Sequence, residues 1–126
     1  MRKKIVAFDF DGTVSDSKFL QIGPPIMPVI NYLKELRKNN WILILWTCRE
    51  DKYLWDAMMF CKEHDIYPDF INENADYVDL RSRKIFADLY IDDKSIDITL
   101  NKPITNGLID EDWIKMEDID NYVFDK

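Results

Sequence analysis

The stretch Ile5-Val-Ala-Phe-Asp-Phe-Asp-Gly-Thr-Val14 decides how the chain is read. Ile5 to Phe8 is an unbroken apolar run, and Phe10 continues it beyond Asp9. A run without polar alternation suits a strand covered on both faces, as strands of parallel sheets are. Asp11-Gly-Thr13 and Ser15-Asp-Ser17 follow with turn chemistry, and Gly12 has access to backbone angles that other residues resist. The segment therefore reads as a buried strand that ends in two carboxylates, Asp9 and Asp11.

Outward from this strand, helix and strand signals alternate. Pro24-Pro25 and Pro28 open a segment in which Val29, Ile30, Leu33 and Leu36 recur at helical spacing, and Asn39-Asn40 closes it. Trp41 to Trp46 is a second buried strand. Asp51 to about His64 carries an apolar stripe of Leu54, Ala57, Met58 and Cys61, with Asp51 placed as its N-cap. Tyr67 to Ile71 is a weaker strand signal, and Leu89-Tyr-Ile91 is a short strand that runs into Asp92-Asp93. Alternation of this kind predicts an α/β fold, an open parallel sheet with helices on both faces. Trp41, Trp46 and Met58-Met59 read as core, and His64 as a charge partner for a helix C-terminus.

The 126 residues fit one domain over 1–126. With 47% hydrophobic and 33% charged residues, the composition is that of a globular chain with one core. Asp9 and Asp11 interrupt the first apolar run before a secretory h-region could form, and Trp41–Trp46 is far shorter than the ~20 residues of a membrane span. Cys48 and Cys61 have no metal-site or disulfide spacing, which fits reduced thiols in the cytoplasm. The net charge of −7 disfavours nucleic acid and anionic membrane as partners. It is compatible with a phosphorylated substrate where a metal ion reverses the local field.

In an open α/β sheet, reactive groups gather at the carboxyl ends of the strands. Here the first strand ends in Asp9 and Asp11, the second in Thr47, and the last in Asp92-Asp93, with Ser82-Arg-Lys84 shortly before it. So many carboxylates at one edge repel one another unless a cation lies among them, and hard oxygen ligands suit Mg²⁺. Asp9 is placed to attack phosphorus, Asp11 to protonate the leaving oxygen, and Thr47 and Lys84 to bind the phosphoryl oxygens. Arg83 is an alternative to Lys84. Arg49, just past Thr47, reads equally as a substrate contact or a surface ion pair. Cys48-Arg49 lacks the C-x5-R loop of a cysteine phosphatase.

Asp9-Phe-Asp11-Gly-Thr-Val14 after a hydrophobic strand resembles the first motif, D-x-D-x-[TV], of the haloacid dehalogenase-like superfamily. Thr47 resembles its second motif, Lys84 its third, and Tyr90-Ile-Asp92-Asp93 with Asp97 its fourth. The resemblance runs from Ile5 to Asp97 with the four motifs in order. It implies a Rossmann-like sheet, Mg²⁺, and an aspartyl-phosphate intermediate on Asp9. Asp9 would be nucleophile and metal ligand, and Asp11 the acid/base that also ligates metal through its backbone carbonyl. Asp93 would be the direct ligand, while Asp92 and Asp97 hold waters or orient neighbours. An aspartate at the Asp11 position resembles the phosphatases of the superfamily.

Two other readings use the same residues: a receiver-like signalling module, and a phosphatase-like binding module without turnover. A receiver resembles an acidic pair first and a lone aspartate mid-chain, the reverse of the order here. The connections between motifs are too short for a cap domain and leave at most a small flap near Ser15 to Gly23. An open site follows, to be covered by the substrate or by a second subunit of a homo-oligomer. The tail beyond Asn101 reads only as a final strand or edge cover.

Overall fold

The computed structural model describes residues 2–18 and 20–94, and the backbone of 96–97 and 102–103. Four parallel strands, β1 (Ile5–Phe8), β2 (Ile42–Leu45), β3 (Phe70–Ile71) and β4 (Leu89–Ile91), form one sheet in the order β3-β2-β1-β4. All of β1 is buried, as its unbroken apolar run requires. Helix α1 (Met27–Lys38) precedes β2, and α2 (Asp51–Glu63) precedes β3. A short antiparallel pair, β5 (Ile96–Asp97) with β6 (Lys102–Pro103), lies beyond the sheet in sequence. Among the described residues, no helix is long and apolar enough to cross a membrane.

Local chemistry explains where the helices start and stop. Pro28 sits in the first turn of α1, where its missing N–H costs nothing, and Arg37 and Lys38 face the negative end of the dipole. Asn40 takes a left-handed φ of 66° and turns the chain into β2. The N-cap of α2 is Glu50 and not Asp51, and it makes no side-chain capping bond. Asp51 lies inside the first turn, where a carboxylate is favoured by the positive end of the helix dipole.

The parallel α/β sheet with helices is as expected, but among the described residues both helices, α1 and α2, lie on one face of the sheet and not on both. Val6, Phe8, Leu43 and Leu45 pack with Val29, Ile30, Leu33 and Leu36 of α1 and with Ala57, Phe60 and Cys61 of α2. The cause is the strand order. The first two crossovers move the same way, from β1 to β2 to β3, and right-handed connections then put both helices on the same side. The third connection returns across the sheet to β4 and covers the other face, where Ala75 and Ile85 pack on Ile5, Ala7 and Ile44. That connection has no helix between β3 and β4. Full burial of a side chain such as Leu33 or Phe8 contributes about 1.5–3 kcal/mol, so the helical face carries most of the core.

Two aspartates fix the entry to the strands. Just before β4, the Asp88 N–H donates to the Ile5 carbonyl at 2.8 Å, and Asp88 Oδ2 accepts the Ile5 N–H at 2.8 Å. Just before β3, Asp69 does the same to Leu43 at 2.8 and 2.9 Å. Asp88 also pairs with Arg2. Burial pushes the Asp88 carboxyl up, but Arg2 and the Ile5 N–H outweigh it and hold it below its ordinary range.

Trp46 is not core. It is 39% exposed and lies against Tyr90, with ring centroids 5.8 Å apart. It follows the last residue of β2, so its side chain falls on the non-helical face, where cover is thin. On α2, Phe60 takes the buried place expected of Met58, and its ring meets Phe10 edge-on at 5.3 Å.

Candidate active site

The register brings the strand ends level. Phe8 pairs with Leu45 on one side and with Ile91 on the other. The Asp9 N–H then reaches the Ile91 carbonyl and the Trp46 N–H the Phe8 carbonyl, each at 2.9 Å. Asp9, Thr47 and Asp92-Asp93 therefore emerge at one edge. Crossovers leave β1 toward β2 while β4 lies on its other side, so the crevice between β1 and β4 is the topological switch point, where open α/β sheets bind ligands.

In that crevice one carboxylate oxygen from each of Asp9, Asp92 and Asp93 lies within 4.8 Å of the others. Burial above all raises the Asp9 carboxyl to about 7; the bond from the Phe10 N–H opposes it, and the charges of Asp92, Asp93 and Asp11 add to the rise. Asp93 is also raised by burial, with Lys94 working against the shift. Its Oδ1 is buried without a hydrogen-bond partner, while Oδ2 lies 3.6 Å from Lys94 Nζ. An unpartnered carboxylate oxygen beside two further carboxylates fits a hard divalent cation such as Mg²⁺.

The turn after β1 is built around this cluster. Gly12 has φ 79°, and Thr13 is fully buried with its Oγ1 accepting the Asp93 N–H at 3.2 Å. The flap takes shape through bridges of Ser15 with Pro25 and of Lys18 with Gln21. Ser15 Oγ accepts the Gly23 N–H at 3.0 Å across its base. Between β1 and α1 the described residues hold only this flap.

Asp11 stands beside the cluster but turns to another partner. Arg49 Nη2 donates to Asp11 Oδ1 at 2.7 Å, and Nε lies 3.0 Å from Oδ2. The Arg49 side chain is 1% exposed and that of Asp11 36%, so this is no surface ion pair. Arg49 Nη1 also donates to the Tyr53 carbonyl at 3.1 Å, and the guanidinium lies 4.8 Å from the centroid of the Phe10 ring.

Thr47 is buried at the end of β2 and clasped by Asn72, whose amide accepts the Thr47 N–H at 2.8 Å and donates to its carbonyl at 3.0 Å. Thr47 Oγ1 accepts the Arg49 N–H at 3.2 Å. Lys84 is exposed, with Nζ 5.4 Å from the centroid of the Tyr90 ring. The side chain of Asp97 lies outside the described residues, as does all of the tail but β6.

Of the residues expected at the site, the structure gathers Asp9, Asp92 and Asp93, links Asp11 and Thr47 to each other through Arg49, and leaves Lys84 exposed on the Tyr90 ring. Sequence reasoning left Arg49 open and passed over Thr13 and Asn72. Thr13 had a signal in its place inside the D-x-D-x-T pattern. Asn72 had none beyond its position after a strand.

No family model matches the chain. No curated protein matches it either. Among solved structures, a conserved protein from Bacteroides thetaiotaomicron is similar, with 27% identity over 99% of this chain and 93% of that one, at a TM-score of 0.71. That likeness supports the α/β fold.

Proposed function

We propose that this protein is a Mg²⁺-dependent phosphohydrolase of the haloacid dehalogenase-like superfamily, acting through an aspartyl-phosphate on Asp9. The observation that carries the reading is the gathering of Asp9, Asp92 and Asp93 at the switch-point crevice, with Asp11 two residues from the nucleophile. Asp9 and Asp93 would hold the ion directly, with the Asp11 backbone carbonyl, and Asp92 would complete or support the set. Bound there, Mg²⁺ supplies the positive charge that lets a phosphate dianion approach a cluster of aspartates.

The chemistry of the side chains follows. An Asp9 oxygen attacks phosphorus, forming the acyl phosphate as the bond to the leaving oxygen breaks. Asp11 hands its proton to that oxygen and takes one back from the water that hydrolyses the intermediate. Thr47, held by Asn72, donates to a phosphoryl oxygen, and Lys84, exposed beside Tyr90, supplies charge to the bound phosphate. With only a flap beside the crevice among the described residues, the substrate class is a phosphate monoester whose leaving group is not enclosed by a cap domain.

The test is turnover of p-nitrophenyl phosphate by the purified chain with Mg²⁺. The reading expects release of p-nitrophenol that chelation by EDTA stops and Asp9→Asn abolishes with the circular-dichroism spectrum unchanged. Wild-type rates from the Asn variant would remove Asp9 as nucleophile, and no turnover of any monoester would remove the reading.

A further inference from the structure

Resting on that reading, we infer that Arg49 is a positioning residue that reserves the Asp11 carboxylate for the leaving group and keeps it out of the metal cluster. A cation among Asp9, Asp92 and Asp93 attracts any further carboxylate within reach, and Asp11 is two residues from Asp9. A side chain captured there would be lost to proton transfer. The structure shows what restrains it: Asp11 is absent from the group of converging oxygens, and both of its oxygens are on Arg49.

Arg49 itself cannot follow a ligand easily. Its guanidinium is fixed on three sides, by Asp11, by the Tyr53 carbonyl in the first turn of α2, and by the face of Phe10. Its backbone N–H is tied to Thr47 Oγ1. The partner free to move is Asp11, the more exposed of the two. One of its oxygens can leave Arg49 to carry a proton while the other remains held, which limits the swing to a rotation about one anchored atom. A planar fork is needed for this, and a lysine cannot supply two parallel donors.

The test compares wild type and Arg49→Lys, each with Mg²⁺, on phenyl phosphate, whose leaving group needs a proton, and on 2,4-dinitrophenyl phosphate, whose leaving group does not. Loss of positioning lowers kcat/KM on the phenyl ester by ~10–100-fold and on the dinitrophenyl ester by less than ~3-fold. In an Asp11→Asn background the same substitution costs less than ~3-fold on the phenyl ester, because the residue it positions no longer acts. A merely structural role lowers both esters equally, and that result overturns the assignment while leaving the phosphatase reading intact. Wild type inactive on both esters overturns both. If Arg49→Lys does not fold, the wild-type chain crystallised with Mg²⁺ and orthovanadate decides. At least one Arg49–Asp11 hydrogen bond persists there; a guanidinium that has moved from Asp11 onto the vanadate overturns the assignment.

Discussion

The carboxylate of Asp93 fills the space in which a side chain on Gly12 would begin. A Cβ at position 12 would lie 2.3 Å from Asp93 Oδ2 and 2.8 Å from its Cγ, and Gly12 takes φ 79°. The turn after β1 and the loop after β4 are thus fitted together at one point, with Thr13 bonding the Asp93 backbone beside it. Gly12→Ala meets both a strained backbone angle and a collision with a candidate metal ligand. It is expected to lower stability by about 1–3 kcal/mol and to weaken Mg²⁺ binding. Denaturant unfolding and calorimetric titration read the two effects. An unchanged midpoint with unchanged binding would mean that Asp93 moves aside without cost.

Asp93 and Asp92 differ in what holds them. Asp92 Oδ1 accepts the Lys94 N–H at 2.8 Å, whereas Asp93 Oδ1 is buried with no partner. Asp93→Ala should therefore raise the Mg²⁺ concentration needed for half-maximal activity more than Asp92→Ala does. Metal titrations of the two variants check this, and the reverse order would give the direct ligand as Asp92.

Stability of the metal-free chain should fall as pH rises. The Asp9 carboxyl is raised to about 7 and Asp93 is raised as well, so the folded chain binds these protons more tightly than the unfolded one. Their contribution is complete below the ordinary carboxylate range and is lost as pH climbs through the raised values. Thermal melts without metal are expected to be lower at about pH 8 than at about pH 5, with Asp9→Asn flattening the difference. Mg²⁺ should restore the loss at the higher pH, because it binds the ionised carboxylates. A slope unaffected by Asp9→Asn would assign the dependence to other groups.

Asn72 acts on the site through the Thr47 backbone. Its amide satisfies both the N–H and the carbonyl of Thr47, so Asn72→Ala leaves two backbone groups to find water. A stability loss of about 1–3 kcal/mol is expected, together with a higher KM for p-nitrophenyl phosphate as Thr47 loosens. Asn72→Asp replaces the donating amide with a second acceptor and should recover only the bond from the Thr47 N–H. Full activity and stability in Asn72→Ala would show that Thr47 is held from elsewhere.

The strands, the helices and the residues at each strand end were legible along the chain because their signals are local. An unbroken apolar run marks a strand buried on both faces, a helical stripe marks α1 and α2, and Gly12 marks a tight turn wherever it falls. These signals place Asp9, Asp11, Thr47 and Asp92-Asp93 at one edge of a parallel sheet before any contact is known. The strand order β3-β2-β1-β4 is not local, and with it went the expectation of helices on both faces: among the described residues, a return crossover from β3 to β4 without a helix covers the second face. Trp46 likewise looked like core, because the thickness of cover on that face cannot be seen in its neighbours in sequence. The pairing of Arg49 with Asp11 joins residues 38 apart. A lone arginine after a strand reads the same whether it reaches solvent or folds inward onto a half-buried carboxylate. In the fold the Tyr53 carbonyl of α2 and the Phe10 ring enclose that guanidinium and hold it on Asp11.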